Sequence, residues 1–151
     1  MRVVLSPMKT AHIRAVMEHE VELFGSEFWS PEAYRAELAD TKYRDYVVAH
    51  DTDTNGRLVG WAGLMAIAET AQILTIAVVS AAQRRGIGQL LMDVLMDEAR
   101  RRGATEILLE VRVGNEAAQR LYERNGFAPL RIRRGYYDLG RADALEMRRA
   151  L

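Results

Sequence analysis

The sequence predicts an α/β fold in which a mixed β-sheet carries helices on both of its faces. β-prone runs alternate with amphipathic helical stripes in the order β-α-α-β-β-β-α-β-α-β-β, which is typical of layered domains of sheet and helix. The 151 residues also contain no internal repeat, low-complexity tract or Pro/Ser-rich linker. Residues 1–151 are therefore expected to form a single domain.

The first predicted elements are a short β-prone strand at residues 3–5 and two helices. Apolar residues recur at helical spacing between Thr10 and Gly25 and predict an amphipathic helix. This stripe consists of Ile13, Val16, Met17, Val21 and Phe24. Ser30 followed by Pro31 is an N-cap with proline at the first helical position, so a second helix is expected over residues 31–38.

Three strands and a long helix follow. Residues 46–49 and 58–67 are β-prone and flank the turn signal DTDTNG, and QILTIAVV at 72–79 is a third strand. The next helix ends at the three arginines before Gly103, which suit the negative end of its dipole. Its apolar stripe consists of Ile87, Leu90, Leu91, Val94, Leu95 and Ala99.

The last part of the chain predicts a strand at 107–113, a helix and a final β region. Asn115 caps the helix, and Asn125 with Gly126 closes it. The β region begins at Phe127 and covers residues up to about 138 and then 145–148.

Composition narrows the classes of function. Lys+Arg and Asp+Glu both number 21, and this zero net charge argues against general nucleic-acid binding. The absence of cysteine excludes disulfides, thiolate metal sites and a cysteine nucleophile. No apolar run resembles a signal peptide or approaches the ~18 residues of a membrane span, so a cytoplasmic protein without membrane contact is expected.

The segment QRRGIG at 83–88 joins a strand to the long helix and predicts a phosphate-binding turn. Gly86 and Gly88 let the backbone approach an anion at the helix N-terminus, and Arg84 and Arg85 can add charge-assisted hydrogen bonds. The segment lacks the G-x-x-x-x-G-K-[ST] pattern and the third glycine of a dinucleotide fingerprint. The alternative is a turn that needs glycine only for its geometry.

A second group of polar residues lies between residues 108 and 127. Glu110 interrupts a β-prone run, so its carboxylate either lines a cleft, reaches solvent or pairs with Arg112 on the same strand face. Asn115 is at least a helix cap. Tyr122 is either a core residue or turns its hydroxyl into a cleft at the centre of the sheet.

The sequence lacks the motifs of a serine nucleophile and of a zinc site. The serines lie in no G-x-S-x-G, and the three histidines show no zinc-ligand spacing. A reaction driven by positioning and proton transfer, without a metal, is therefore favoured over covalent or metal-dependent catalysis.

These motifs resemble those of a known family. Q-R-R-G-I-G-Q after a β-rich strand resembles the acyl-coenzyme A pyrophosphate loop of the GNAT superfamily of N-acetyltransferases. LEVR-x-x-N at 109–115, LYE-x-x-GF at 121–127 and RRGYY at 133–137 resemble the RimI type, whose members acetylate the N-terminal alanine of a small-subunit ribosomal protein. The resemblance covers most of the chain, best over 76–147. It implies a mostly antiparallel sheet that is splayed at the acetyl-CoA strand.

The resemblance also assigns a co-substrate, acetyl-CoA, and the residues that bind it. Ile76, Ala77 and Val78 would lie along the pantetheine arm, and Asn115 would contact the co-substrate besides capping its helix. The pyrophosphate would be wrapped by Arg84, Arg85, Gly86, Ile87, Gly88 and Gln89.

For the chemical step, the resemblance implies Glu110 as general base and Tyr122 as general acid, with direct transfer in a ternary complex. The acceptor would be bound by Phe28, Trp29, Tyr136 and Tyr137. The chain departs from the family at residues 26–28, where Ser-Glu-Phe replaces the usual proline-containing form on the acceptor side.

Elementary acid–base chemistry favours an N-terminal acceptor. Neutralising an α-amine of pKa ~7.8 at pH 7 costs only ~1 kcal/mol, against ~4.6 kcal/mol for a lysine of pKa ~10.4, so a single carboxylate suits the former. Two alternatives remain, a GNAT enzyme acting on a small amine such as a polyamine, amino acid or antibiotic, and a non-catalytic acyl-CoA-binding module. Four arginines of the final β region are solvated strand residues by default, with local contact to ribosomal RNA as the alternative: Arg131, Arg133, Arg134 and Arg141.

Overall fold

The computed structural model describes residues 1–151, except for the side chain of Asp138. Within this range the strands are β1 Val3–Pro7, β2 Arg44–Asp51, β3 Arg57–Ile67, β4 Thr70–Val78, β5 Glu106–Arg112, β6 Ala128–Tyr137 and β7 Ala142–Ala150. The helices are α1 Ile13–Phe24, α2 Pro31–Ala39, α3 Ile87–Arg101 and α4 Glu116–Arg124. Every element predicted from the sequence is present, with ends that differ by a few residues.

The seven strands form one sheet in the order β1-β2-β3-β4-β5-β7-β6, and every pair is antiparallel except β4 with β5. That parallel pair is joined only from Thr70 to Gln72 on β4. Beyond this point β4 continues to Val78 and β5 to Arg112 without pairing to each other. The predicted mixed, mostly antiparallel and splayed sheet is confirmed.

A β-bulge marks the start of the separation. Gly63 on β3 pairs with Thr75, whereas the next residue, Leu64, pairs with Ile73. Leu74 is therefore an extra residue on β4, and an extra residue bends its strand and increases the local twist. This bend accompanies the divergence of β4 from β5.

Helices cover both faces of the sheet, as predicted. Trp61 on β3 points to one face, where its indole N–H donates to the hydroxyl of Tyr34 in α2 at 2.9 Å. The adjacent residue, Gly60, faces Ile87 and Leu91 of α3. Successive residues of a strand point to opposite faces, so α2 and α3 lie on opposite sides. Trp61, Tyr34, Ile87 and Leu91 are all fully buried, and each large apolar side chain of this kind contributes about 1.5–3 kcal/mol.

Two positions of the predicted apolar stripes are wrong. Val21 in α1 and Leu90 in α3 are exposed. In α1 the neighbouring Glu20 takes the buried position instead, because its carboxylate is fixed by hydrogen bonds from Tyr34 and from the backbone of Trp29. None of the helices in the described part of the chain has the length and hydropathy of a membrane span.

Candidate active site

The separation of β4 from β5 creates a cavity of about 270 Å³ in the middle of the sheet. Its walls come from α1, the α1–α2 connection, β4, β5, the first turns of α4 and the end of β6. Three carboxylates line it, those of Glu20, Glu27 and Glu110, together with one cationic side chain, that of Arg112. This lining suits a cationic or amine-bearing molecule.

Glu110 lies on β5 with its side chain 9% exposed. Its Oε1 accepts a hydrogen bond from Nη1 of Arg133 on β6 at 2.5 Å. Tyr136 also hydrogen-bonds to Glu110, and this bond together with burial raises the pKa of Tyr136 to about 12. The sequence left Arg112 open as the partner of Glu110; the structure gives this place to Arg133.

Tyr122 is buried in α4 and lines the same cavity as Glu110. Its ring packs edge-on against Phe127 with a centroid distance of 6.1 Å. Burial, with a smaller contribution from Tyr137, raises the pKa of Tyr122 above its ordinary value. The hydroxyl therefore keeps its proton at neutral pH.

Asn115 caps α4, as predicted, since its Oδ1 accepts from the backbone N–H of Ala118 at 3.3 Å. The same residue lines the cavity. The cap fixes the entry angle of α4 and so holds the helix that carries Tyr122 against the open end of β5.

The turn before α3 has the geometry of an anion site. Gly86 is the N-cap with a φ of 81°, and Arg84 also has a positive φ of 64°. Gly86 has no side chain to cap the helix, and the first helical bond recorded is from Leu90 to Gly86, at 3.2 Å. The N–H groups of residues 87–89 thus lack intrahelical partners and sit at the positive end of the dipole.

This turn lies beside the end of β4 that is paired with β3 but not with β5. A Cβ placed on Gly88 would be 3.4 Å from Leu121 of α4 and 3.9 Å from Val78 of β4. The helix start, the end of β4 and α4 therefore meet at one point. An extended molecule with an anionic group at α3 has a direct route from there along β4 into the cavity.

On the other side of the cavity, a buried hydrogen-bond network supports Trp29. Glu20 accepts from the Trp29 backbone N–H at 3.3 Å and from the Tyr34 hydroxyl. Tyr34 also bonds to Trp61 and Thr75. The Trp29 ring packs on Tyr34 at 5.1 Å and on Tyr46 at 6.4 Å. The wall that contains Trp29 is therefore tied to α1, α2 and the sheet.

The structure brings together many of the predicted site residues. Those that line the cavity are Ile76, Glu110, Asn115, Tyr122, Trp29 and Tyr137. Ala77 is buried beside Trp61 on the neighbouring strand, and Gln89 forms a reciprocal amide pair with Asn125. Phe28 and Tyr136 lie outside the lining and are exposed.

Two residues at the site were missed by the sequence reasoning. Glu20 stands four residues after Val16 and seven after Ile13, so a carboxylate on the apolar stripe of α1 was the available signal. Arg133 was predicted only as a solvated or RNA-contacting arginine of the final β region. It is paired with Glu110, and Arg131 is paired with Glu146 at 3.0 Å.

The sheet thus opens beside a helix N-terminus, and the family match and the relatives below show that the chain is an acetyl-CoA-dependent N-acetyltransferase. The chain belongs to the acetyltransferase (GNAT) family, whose model matches residues 13–127.

Individual relatives refine this assignment. N-alpha-acetyltransferase RimI of Mycobacterium tuberculosis is 38% identical over 97% of this chain and 92% of its own length. The crystal structure of the ribosomal-protein-S18-alanine N-acetyltransferase from Escherichia coli has a TM-score of 0.86 and 30% identity, covering 99% of this chain and 94% of that one. A NatC complex crystallised with Gag peptide and CoA has a TM-score of 0.87 and 25% identity, covering 100% of this chain and 99% of that one.

Proposed function

We propose that this protein transfers the acetyl group of acetyl-CoA to the N-terminal α-amine of a protein, with Glu110 as base and Tyr122 as acid. The observation that carries the proposal is the opening between β4 and β5, which holds both side chains and leads from the start of α3. Acetyl-CoA supplies an activated thioester there when it is bound.

The chain has suitable groups for the co-substrate along its route. The N–H groups of Ile87, Gly88 and Gln89 would donate to the diphosphate, with the guanidinium groups of Arg84 and Arg85 as further donors. The backbone of residues 76–78 is not paired with β5 and would hydrogen-bond to the pantetheine arm. Since the Gln89 side chain is engaged by Asn125, its contribution would come from the backbone.

The acceptor amine must lose a proton before it attacks. Glu110 is the candidate base because its carboxylate lies in the cavity and is held by Arg133. An α-amine needs only ~1 kcal/mol to be neutral at pH 7, so one carboxylate, acting directly or through a water, is sufficient. Direct transfer requires no nucleophile from the protein.

Tyr122 would act on the leaving sulfur. Its raised pKa means that the hydroxyl holds its proton more tightly than a thiol, whose pKa is ~8.5. The hydroxyl would therefore stabilise the departing sulfur chiefly as a hydrogen-bond donor, with any transferred proton quickly regained. This refines the general-acid role expected from the sequence.

For the acceptor we propose the N-terminal alanine of a ribosomal protein, as named for the Escherichia coli neighbour. The acidic lining of the cavity and the aromatic wall formed by Trp29 and Tyr137 support a chain terminus with a free amine. Residues 26–28 differ from the usual family form at this wall. We therefore expect the preference of this enzyme to differ at the second and third residues of the acceptor.

The test is mass spectrometry after incubation with acetyl-CoA and a defined mixture of amines. The mixture holds peptides that begin with alanine or other residues, the same peptides with blocked N-termini and an internal lysine, and polyamines. We expect one acetyl group on free N-termini, foremost on alanine. Acetylation of blocked peptides or polyamines instead would refute the proposal.

The roles of the two side chains are tested by Glu110→Gln and Tyr122→Phe, each expected to lower kcat by about 10²–10⁴-fold. Glu106→Gln is the matched control, because Glu106 lies on the same strand and face but bonds to Arg148 and Thr70. A kcat within a few-fold of wild type in either test variant would contradict that residue's role.

A further inference from the structure

Arg133 is the feature of the site that the proposed chemistry leaves without a role. It projects from the edge strand β6 and reaches across β7 to Glu110 on β5, with 2.5 Å between Nη1 and Oε1. The same Nη1 is 3.9 Å from Oε2 of Glu146 on β7. Its guanidinium also lies 5.0 Å above the ring of Tyr136. Three separate contacts thus fix one arginine that is otherwise 43% exposed.

Arg133 does not obstruct the cavity. Glu110 is part of the cavity lining, whereas Arg133 and Tyr136 are outside it. The guanidinium approaches the carboxylate from β6, the strand whose Tyr137 also lines the cavity. A residue that holds the base without itself lining the cavity is placed to orient it, as the third member of a catalytic triad orients its base.

We propose that Arg133 is a positioning residue for acetyl transfer, which holds the Glu110 carboxylate in one orientation at the wall of the cavity. This inference rests on the proposed role of Glu110 as base. It adds a third member to the catalytic group, and Tyr136 contributes a second hydrogen bond to the same carboxylate.

The charges around Glu110 explain why such a residue is needed. On β7 the buried Glu146 pairs in register with Glu110, so two carboxylates stand side by side on adjacent strands. Like charges at such a position repel each other. Arg133 is near both, and Arg131 supplies a second cation to Glu146 at 3.0 Å.

The remaining titratable groups near Glu110 come from β6, β5, α1 and the α1–α2 connection. On β6 they are Tyr136 and Tyr137; Arg112 follows on β5; and Glu20 in α1 and Glu27 in the α1–α2 connection line the same cavity. Four of these are carboxylates or hydroxyls, which supply no positive charge to hold Glu110. Arg133 is a cation in direct hydrogen-bond contact with Glu110, and this contact raises the pKa of Arg133 itself.

The consequence is a loss of turnover that depends on Glu110. Without the guanidinium, the Glu110 carboxylate is no longer held in one orientation, so it is less often placed to accept the proton of the amine. We therefore expect kcat to fall by about tenfold, while the KM for acetyl-CoA stays near its wild-type value. In a Glu110→Gln background the same substitution should cost little more, because no carboxylate is left to orient.

The experiment measures kcat and the KM for acetyl-CoA in wild type, Arg133→Gln, Arg133→Lys, Glu110→Gln and the double variant Arg133→Gln/Glu110→Gln. Arg134→Gln is the matched control, since Arg134 is on the same strand but lies 3.8 Å from Asp143 and makes no contact with Glu110 among the described residues. Melting temperature and acetyl-CoA binding, by calorimetry, verify that each variant is folded and binds the co-substrate.

We expect kcat to fall about tenfold in Arg133→Gln and less in Arg133→Lys, and to stay unchanged in Arg134→Gln. A wild-type kcat in Arg133→Gln, or an equal further fall of kcat when Glu110 is already replaced by Gln, would overturn the inference while Glu110→Gln alone still tests the base. Full activity in Glu110→Gln would instead remove the proposed base, and the inference with it.

Discussion

Gly63→Ala tests how tightly the acceptor wall is packed against the sheet. A Cβ at this position would lie 2.1, 2.5 and 2.7 Å from three ring atoms of Tyr46. The ring cannot easily withdraw, because Tyr46 is 8% exposed and its hydroxyl donates to Glu37 at 2.6 Å. The substitution therefore forces the ring toward Trp29, whose centroid is 6.4 Å away.

Overpacking of this kind costs about 1–3 kcal/mol. For a protein of this size, each kcal/mol lowers the melting temperature by roughly 2–4 °C, so a fall of about 2–12 °C is expected. Circular dichroism measures the melting curve, and steady-state kinetics should show a higher KM for the acceptor peptide. The KM for acetyl-CoA should change little, because the ring lies on the acceptor side.

A double-mutant cycle isolates the contact. Tyr46→Leu removes the ring atoms that the new methyl group would meet, so Gly63→Ala should be much less destabilising in that background. If Gly63→Ala melts within about 1 °C of wild type, or if the two losses of stability simply add, the steric reasoning is wrong.

Three further changes have defined outcomes. Burial raises the pKa of Glu20, so the stability that this residue contributes is present below its unfolded pKa of 4.5 and is lost as the pH rises through its folded pKa. The melting temperature of Glu20→Gln relative to wild type should therefore improve from pH 4.5 to 8. A constant difference between the two melting temperatures would contradict this. Asn115→Ala should lower the free energy of unfolding, measured in urea, by about 0.5–2 kcal/mol. Asn115→Asp keeps the helix cap and should retain most of the wild-type stability. Gly86→Ala should raise the KM for acetyl-CoA and cost about 1–2 kcal/mol, because φ is 81° although no atom lies within 4 Å of the new Cβ; wild-type values of both would refute the strain argument.

Local patterns in the sequence were sufficient for the fold. Helix caps at Ser30 and Asn115, the turn at 51–56 and the glycines that end α1 and α3 mark boundaries that depend on the neighbouring few residues alone. The alternation in β5 likewise placed Glu110 and Arg112 on one face of the strand, and the structure has both partly exposed while Leu109 and Val111 between them are buried. Each of these predictions is confirmed because short-range geometry determines it.

The missed features depend on contacts between distant parts of the chain. Glu20 is buried because residues 9 and 14 positions later donate to its carboxylate, and the helix rotates accordingly, leaving Val21 outside. Arg133 meets Glu110 only because β7 folds between their strands, a strand order that no local pattern records. A charged residue on an apolar stripe was the one signal available, and it identifies Glu20 but not its partners.

The central claim is that acetyl-CoA lies in the opening between β4 and β5, with its diphosphate at the start of α3. A crystal structure of the protein with bound coenzyme A tests this most directly. We expect the diphosphate oxygens to lie within hydrogen-bond distance of the N–H groups of residues 87–89, and the thiol to lie in the cavity beside Glu110 and Tyr122. Coenzyme A bound elsewhere, or β4 and β5 paired along residues 73–78 with the cavity closed, would contradict it.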